Sequence, residues 1–319
     1  MAGQIRTQQF IRSIPYVPGG QTTIELPRMA DLETLILGLQ GTFTYPAGAT
    51  GSLKSLGPQA LIARIELVCD GKITVISAPG YKFGIASPRT FEGSGGGLIN
   101  TMTPPAANAA GTIDTTMYVD CMQFDGVRPK DSNLRIRQFS VVELKITFSN
   151  WSECFTNVAS APTVYAVNLF VDGNYCTELD PANSKPSFVN KLSTVIVDAT
   201  NSNSSYMLNL PAGNMIRSIT AYTHVNGVAS DSIINNVTVA NGLDQRIQSS
   251  GRALKARVRG YKTPQPGHTE IDFARQTRGQ VMWSNAWAIG QPAQPILTID
   301  FTGQAGAKIE LVINEYVAA

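Results

Sequence analysis

Residues 24–37 read IELPRMADLETLIL, and residues 208–221 read LNLPAGNMIRSITA. Each stretch opens with an apolar residue, a spacer and Leu-Pro, then continues with apolar residues at the same spacing. Ile24 answers to Leu208, Leu26 to Leu210, Pro27 to Pro211, Leu32 to Ile216 and Leu35 to Ile219, every pair 184 positions apart (208 − 24). Proline has no N–H and cannot continue a β-ladder, so each Leu-Pro reads as the end of a strand. A phrase written twice at this distance points to a duplicated fold unit.

A second pair of blocks keeps the order. IARIELVCDGKITVISAPG at 62–80 faces INNVTVANGLDQRIQSSG at 234–251, with Asp70-Gly71 on Asn241-Gly242, Ile76 on Ile247 and Gly80 on Gly251, an offset of 171 (251 − 80). Asp-Gly and Asn-Gly are tight-turn signals, because both residues accept positive φ. The change of offset from 184 to 171 leaves the second copy 13 residues shorter (184 − 171), within the first copy's GTFTYPAGATGSLKSLG at 41–57. Surface loops of this composition tolerate insertions. Later, LKITFS at 144–149 resembles LTIDFT at 297–302, and TVYAVNLFV at 163–171 resembles KIELVINEY at 308–316. Before each Leu-Pro phrase lies another strand-like run, SIPYV at 13–17 and STVIV at 193–197.

Most apolar segments along the 319 residues are short and alternate with period two, punctuated by Gly, Pro, Asn, Asp and Ser. Short helices are expected only around 55–64 and 241–250. The class is therefore all-β, with strands too numerous for one small sandwich, and two packed sandwiches are the economical solution. The boundary falls in DGNYCTELDPANSKPSF at 172–188: a first domain over 1–175, a linker over 176–185 and a second domain over 186–319. The first domain carries two long loops, 41–57 and 93–111 (GSGGGLINTMTPPAANAAG). Loops as long as the second are usually functional or disordered, and contact with a neighbouring copy is the expected role of 93–111.

Charged residues make up only 15% of the chain, against about 25% in ordinary domains. A neutral polar surface suits packing against further copies, because few ions need desolvating. The net charge of +2 gives no global attraction to nucleic acid or membrane. The first fifteen residues lack the apolar core of a signal peptide, and no transmembrane run is expected. Cys69, Cys121, Cys154 and Cys176 fit no zinc template and are expected as reduced thiols.

Two tandem sandwiches of this size, each with a strand ending at Leu-Pro, resemble the double jelly-roll major capsid proteins of tailless icosahedral viruses. The sharpest part is GQTTIELPRMADLETLILGLQGTF at 20–43 followed by 62–80, which resembles the first jelly roll of phage coat proteins in that lineage. The resemblance implies two tandem eight-stranded jelly rolls and a homotrimer with a pseudo-hexagonal outline. It further implies capsomers that meet neighbouring capsomers and penton or minor capsid proteins in an icosahedral virion shell, assembled in the host cytoplasm and often lying over an internal membrane. The rival expectation is a tandem β-sandwich carbohydrate-binding or adhesion module, such as a virion spike or lectin, for which the aromatic pair Trp283 and Trp287 in WSNAW would be the platform.

Nothing in the chain suggests catalysis, a cofactor, a metal or a small-molecule substrate. Only His224 and His268 exist, and the GSGGG at 93–97 lacks the Lys-Ser/Thr of a phosphate loop. The charged stretch that stands out is GRALKARVRGYK at 251–262. On a strand, Lys255, Arg257 and Arg259 would share one face. LRIRQF at 134–139 is a shorter version with Arg135 and Arg137, and Arg6 and Arg12 mark the N-terminal segment. These seven cations are candidates for an inner basic surface facing phosphates of lipid headgroups or genome, each contributing about 1 kcal/mol near an anionic surface. A solvated or intersubunit-paired strand face is the alternative.

Overall fold

A computed structural model of the chain describes residues 4–84, 99–121, 133–178, 188–242, 244–259, 265–273, 287–288 and 294–318. The chain forms two compact units that divide between Val189 and Asn190. The first contains β1 (Gln4–Pro15), β2 (Gln21–Glu25), β3 (Asp31–Thr44), β4 (Ile62–Cys69), β5 (Ile73–Ala78), β6 (Asn100–Met102), β7 (Ala110–Asp120), β8 (Val142–Phe148) and β9 (Val164–Glu178). One sheet runs β1-β9-β3-β7-β6 and the facing sheet runs β2-β8-β4-β5. In β8 buried and half-buried residues alternate strictly, as a strand with one face on a core must. Leu35, Leu37 and Leu39 on one sheet and Ile65, Leu67, Leu144 and Ile146 on the other close that core.

The second unit repeats this plan. It contains β10 (Phe188–Asp198), β11 (Asn203–Asn209), β12 (Met215–Val225), β13 (Val228–Ala229), β14 (Ile234–Asn241), β15 (Asp244–Ser250), β16 (His268–Asp272), β17 (Trp287–Ala288), β18 (Ile296–Phe301) and β19 (Ala307–Ala318). One sheet runs β10-β19-β12-β16, with β13 and β17 also on β12, and the other runs β11-β18-β14-β15. Strand by strand, β1, β9, β3 and β7 correspond to β10, β19, β12 and β16, while β2, β8, β4 and β5 correspond to β11, β18, β14 and β15. This is the jelly-roll order, twice.

The correspondence holds at single residues. The ladder of β3 with β9 slips between Leu32 and Thr34, and that of β12 with β19 between Ile216 and Ser218, 184 positions on (216 − 32). The ladder of β4 with β8 slips between Ile62 and Arg64, and that of β14 with β18 between Ile234 and Asn236, 172 on (234 − 62). The ladder of β4 with β5 slips between Leu67 and Val68, and that of β14 with β15 between Val239 and Ala240, again 172 on (239 − 67). Bulges re-aim strands and are features of a fold rather than accidents. Both Leu-Pro phrases are pinned alike. The Leu26 N–H donates to the Val142 carbonyl and the Leu210 N–H to the Pro295 carbonyl, each at 2.9 Å.

Gly80 and Gly251 also correspond, for a steric reason. Gly80 opens α1 (Gly80–Phe83) and Gly251 opens α2 (Gly251–Arg259). A Cβ on Gly80 would stand 2.6 Å from the Ile62 Cβ, and one on Gly251 would stand 2.5 Å from the Ile234 carbonyl oxygen. Each helix begins in contact with the first residue of the equivalent strand, β4 or β14.

Several sequence expectations need correction. SIPYV and STVIV align at an offset of 180 (193 − 13), but the structure pairs Tyr16 with Ala199, an offset of 183 (199 − 16), since their N–H groups donate to Val167 and Ala307. TVYAVNLFV and KIELVINEY align at 145 (308 − 163), but Tyr175 lies opposite Leu32 and Glu315 opposite Ile216, so β9 and β19 correspond at 140 (315 − 175). Both slips are odd. An odd slip turns every side chain to the other face of the sheet, and alternation alone could not reveal it. Residues 244–250 form β15 rather than a helix, and within 55–64 only a single helical turn forms, at Gly57–Leu61. Of the two expected loops, residues 41–44 belong to β3 and residues 100–102 form β6, while 93–98 lie outside the described residues.

In each jelly roll the connections alternate between two ends. At the loop end of the first roll, 45–61 packs on 149–163: Leu53 bridges Phe155, and the Ser160 hydroxyl donates to the Thr50 carbonyl at 2.5 Å. An aromatic cluster of Tyr16, Phe43, Tyr45, Trp151 and Tyr165 lies beneath. At the opposite turn end, the Asp70 carboxylate accepts from the Ser140 and Val141 N–H groups and ties the β4–β5 turn to the β7–β8 connection.

Candidate functional site

GRALKARVR forms a helix rather than the expected strand. Ala, Leu, Lys and Arg all favour helix. The Ala253 N–H donates to the Ser250 hydroxyl at 3.2 Å, satisfying one open donor of the first turn. Gly251, Leu254 and Val258 are buried, a spacing of three and four that matches a helix period. On a helix Lys255 and Arg257 point about 200° apart, so the cations do not share the single face that a strand would give. Lys255 turns back to form an ion pair with Asp231. Burial pushes the Asp231 carboxyl up, but the Lys255 ammonium and the Gly267 N–H outweigh it and hold it below the ordinary carboxylate range. Arg252, Arg257 and Arg259 are exposed, interleaved with exposed Ala253 and Ala256.

LRIRQF is not a strand either. Leu134 makes an isolated bridge with Leu32, and the chain then turns through Ile136–Gln138. That bridge brings Arg137 to Asp31 at 3.5 Å, with Arg135 close enough to act on the same carboxylate. Burial pushes the Asp31 carboxyl up, and the two guanidiniums pull it partly back. Nearby, the bulge that begins β3 drives Glu33 inward, where Arg6 on β1 meets it at 3.1 Å. Arg12 stands exposed on β1, level with Val171.

The seven cations thus form two groups and one outlier. Arg6, Arg135 and Arg137 converge on two buried acids at the turn end of the first roll. Lys255, Arg257 and Arg259 lie on α2 at the loop end of the second. Asp31, Glu33 and Asp231 do not stand out in the sequence. They sit 106 (137 − 31), 27 and 24 positions from their cations, and no local signal links them.

Among the described residues no group of three His, Cys, Asp or Glu could hold a metal ion. All four cysteines are buried and unbridged. Burial, with a smaller push from Asp70, moves the Cys69 thiol up to about 12, so it is protonated at neutral pH. Trp283 lies outside the described residues, and Trp287 belongs to β17, paired with Ile216.

No family model and no curated protein matches the chain. Solved structures do. The STIV MCP, from the Sulfolobus Turreted Icosahedral Virus, superposes with a TM-score of 0.75 at 15% identity, over 98% of this chain and 97% of that one. The major capsid protein P2 from bacteriophage PM2 gives 0.65 at 14%, over 99% and 98%. VP54 of PBCV-1 gives 0.61 at 13%, over 99% and 94%. With the same strand order found in both halves of this chain, these likenesses establish its architecture: it has the double jelly-roll fold seen in viral major capsid proteins.

Proposed function

We propose that the protein is a major capsid subunit, a structural protein without catalysis, that forms homotrimeric tiles of an icosahedral shell. The observation that carries this reading is internal. One chain contains the same jelly roll twice, down to three matching register breaks. A pseudo-hexagonal tile needs six nearly equivalent corners, and three identical chains supply six only if each holds the unit twice. The capsid proteins that share the fold support the same role. Closed shells repeat a few contacts many times, so each contact can be weak and neutral walls suffice. The partners are further copies of the chain, neighbouring tiles and the proteins at fivefold positions.

The basic groups belong to this reading in a restricted form. Interchangeable corners present the same end of each roll to the same side of the shell. The Arg6, Arg135, Arg137 group and the Lys255, Arg257, Arg259 group lie at opposite ends of their rolls. Only one of them can face an interior membrane or genome. The reading is tested by the native mass of the purified protein, expected at three times the 34.2 kDa of the chain. A monomer that binds glycans would overturn it.

A further inference from the structure

The two rolls match in fold but not in what their outer faces expose. On the sheet containing β3, the residues that point away from the core include Ile36 and Gln40, which are half-buried and exposed. Their counterparts on β12, 184 positions on, are Thr220 and His224, both buried. The same holds one strand over. Asp172 on β9 is half-buried, and its counterpart Val312 on β19 is 1% exposed. The first roll therefore leaves open a face that the second roll has covered. That open face carries large apolar side chains around Asp172, which lies opposite both Phe10 and Ile36. Phe10 is 57% and Val164 67% exposed, with Ile36 and Phe170 half-exposed between them. Ile36 in the open against Thr220 in the covered equivalent, with Phe10 and Val164 more than half exposed, is the arrangement expected where something else covers the open face.

The other sheets show the complementary difference. On the outer side of β2, β8 and β4 stand Glu25, Glu143, Lys145, Arg64 and Glu66, cross-linked at 3.1 Å (Arg64 to Glu66) and 3.2 Å (Lys145 to Glu143). On the equivalent side of β11, β18 and β14, Asp300 is the only charged residue pointing outward among the described residues, and the Asn236 side-chain amide caps it at 2.9 Å. The rest of that face is neutral, with Thr298, Thr238 and Ile296 in rows and Met207 64% exposed. Depletion of charge around large apolar side chains marks the centre of a protein interface.

We infer that the open β1-β9-β3-β7 face of the first roll is covered by the neutral β11-β18-β14 face of the second roll of another copy. The contact is head-to-tail, so each chain gives one face and receives the other, and three such contacts close a ring. This rests on the capsid-tile reading and specifies the surfaces that build the tile.

The test uses two exposed positions whose substitution leaves the cores untouched, Phe10→Lys and Met207→Lys, with Ile36→Lys and Thr298→Lys as second variants on each face. Each carries an ammonium and its desolvation cost into the contact and is expected to weaken association on the order of tenfold or more. Mass would be read by light scattering, and folding by circular dichroism. Each single variant is expected as a folded monomer. A mixture of the Phe10→Lys and Met207→Lys chains should form pairs of twice the chain mass, because each supplies the face that the other lacks. A Met207→Lys or Thr298→Lys protein that keeps the wild-type mass overturns the assignment, as does a mixture that stays monomeric. A wild-type chain that is itself monomeric would remove the tile and this contact together.

Discussion

Glu315 is fully buried on β19, 3.9 Å from the Lys191 ammonium and 3.4 Å from the Asn214 side-chain amide. Burial pushes its carboxyl above the ordinary range, and the Asn214 hydrogen bond and Lys191 pull it partly back. A raised carboxyl means the folded chain holds the proton more tightly than the unfolded chain. That contribution to stability is complete below the unfolded carboxylate range and is lost as pH rises through the folded value. Glu315→Gln is therefore expected to raise the thermal midpoint at pH 7, with the gain fading as pH falls toward about 4. A lower midpoint at pH 7 would show that the ion pair outweighs the burial. Arg6→Gln has a different expected effect. It leaves Glu33 in the bulge without its guanidinium and should cost about 1–3 kcal/mol in urea denaturation. A fall in particle yield from that variant would then report folding rather than loss of a phosphate contact. At this scale the sequence was a poor guide. The cations were visible, but their acidic partners lie tens of residues away and reach them only through a bulge and an isolated bridge.

For the elements, α2 separates the two geometries open to GRALKARVR. A strand would place Ala256 and Val258 together on the buried face. The helix buries Leu254 and Val258 and exposes Ala256. Ala256→Glu should thus change stability by no more than about 0.5 kcal/mol, whereas Leu254→Ala should cost about 2–5 kcal/mol. A large loss from Ala256→Glu would argue for the strand. Gly80→Ala and Gly251→Ala should each destabilise by about 1–3 kcal/mol, because both Cβ atoms would enter the space of the first residue of β4 or β14. The alternation of cations in this segment imitates a strand, while the Leu254–Val258 spacing was the helical signal that the charges obscured. Elsewhere the strand pattern was plain, since residues such as Leu144, Ile146 and Phe148 alternate between turn formers. What alternation could not supply was register. The first and last strands of each roll were placed three and five positions off, and only their ladder partners correct them.

In the molecule as a whole, the repeat was legible because two rigid signals survive duplication: Leu-Pro where a strand must stop, and Gly80 with Gly251 where a side chain cannot fit. The middle of the second roll was less so. Its β16 matches the end of β7 over five positions, 268–272 on 116–120, opposite 218–222 and 34–38, within a stretch that is irregular in sequence. At this scale the tile reading makes a charge prediction. Changing Lys255, Arg257 and Arg259 to Gln, and separately Arg135 and Arg137 to Gln, should alter packaging or membrane association of particles for one set only. Equal losses from both sets would contradict equivalent corners, and no loss from either would remove the inner basic surface. The most direct measurement of all is the projection image of the purified assembly viewed down its symmetry axis. Threefold symmetry with six lobes at nearly equal spacing is the expected result. Three lobes, or particles lacking a threefold axis, would show that the two jelly rolls do not serve as interchangeable corners.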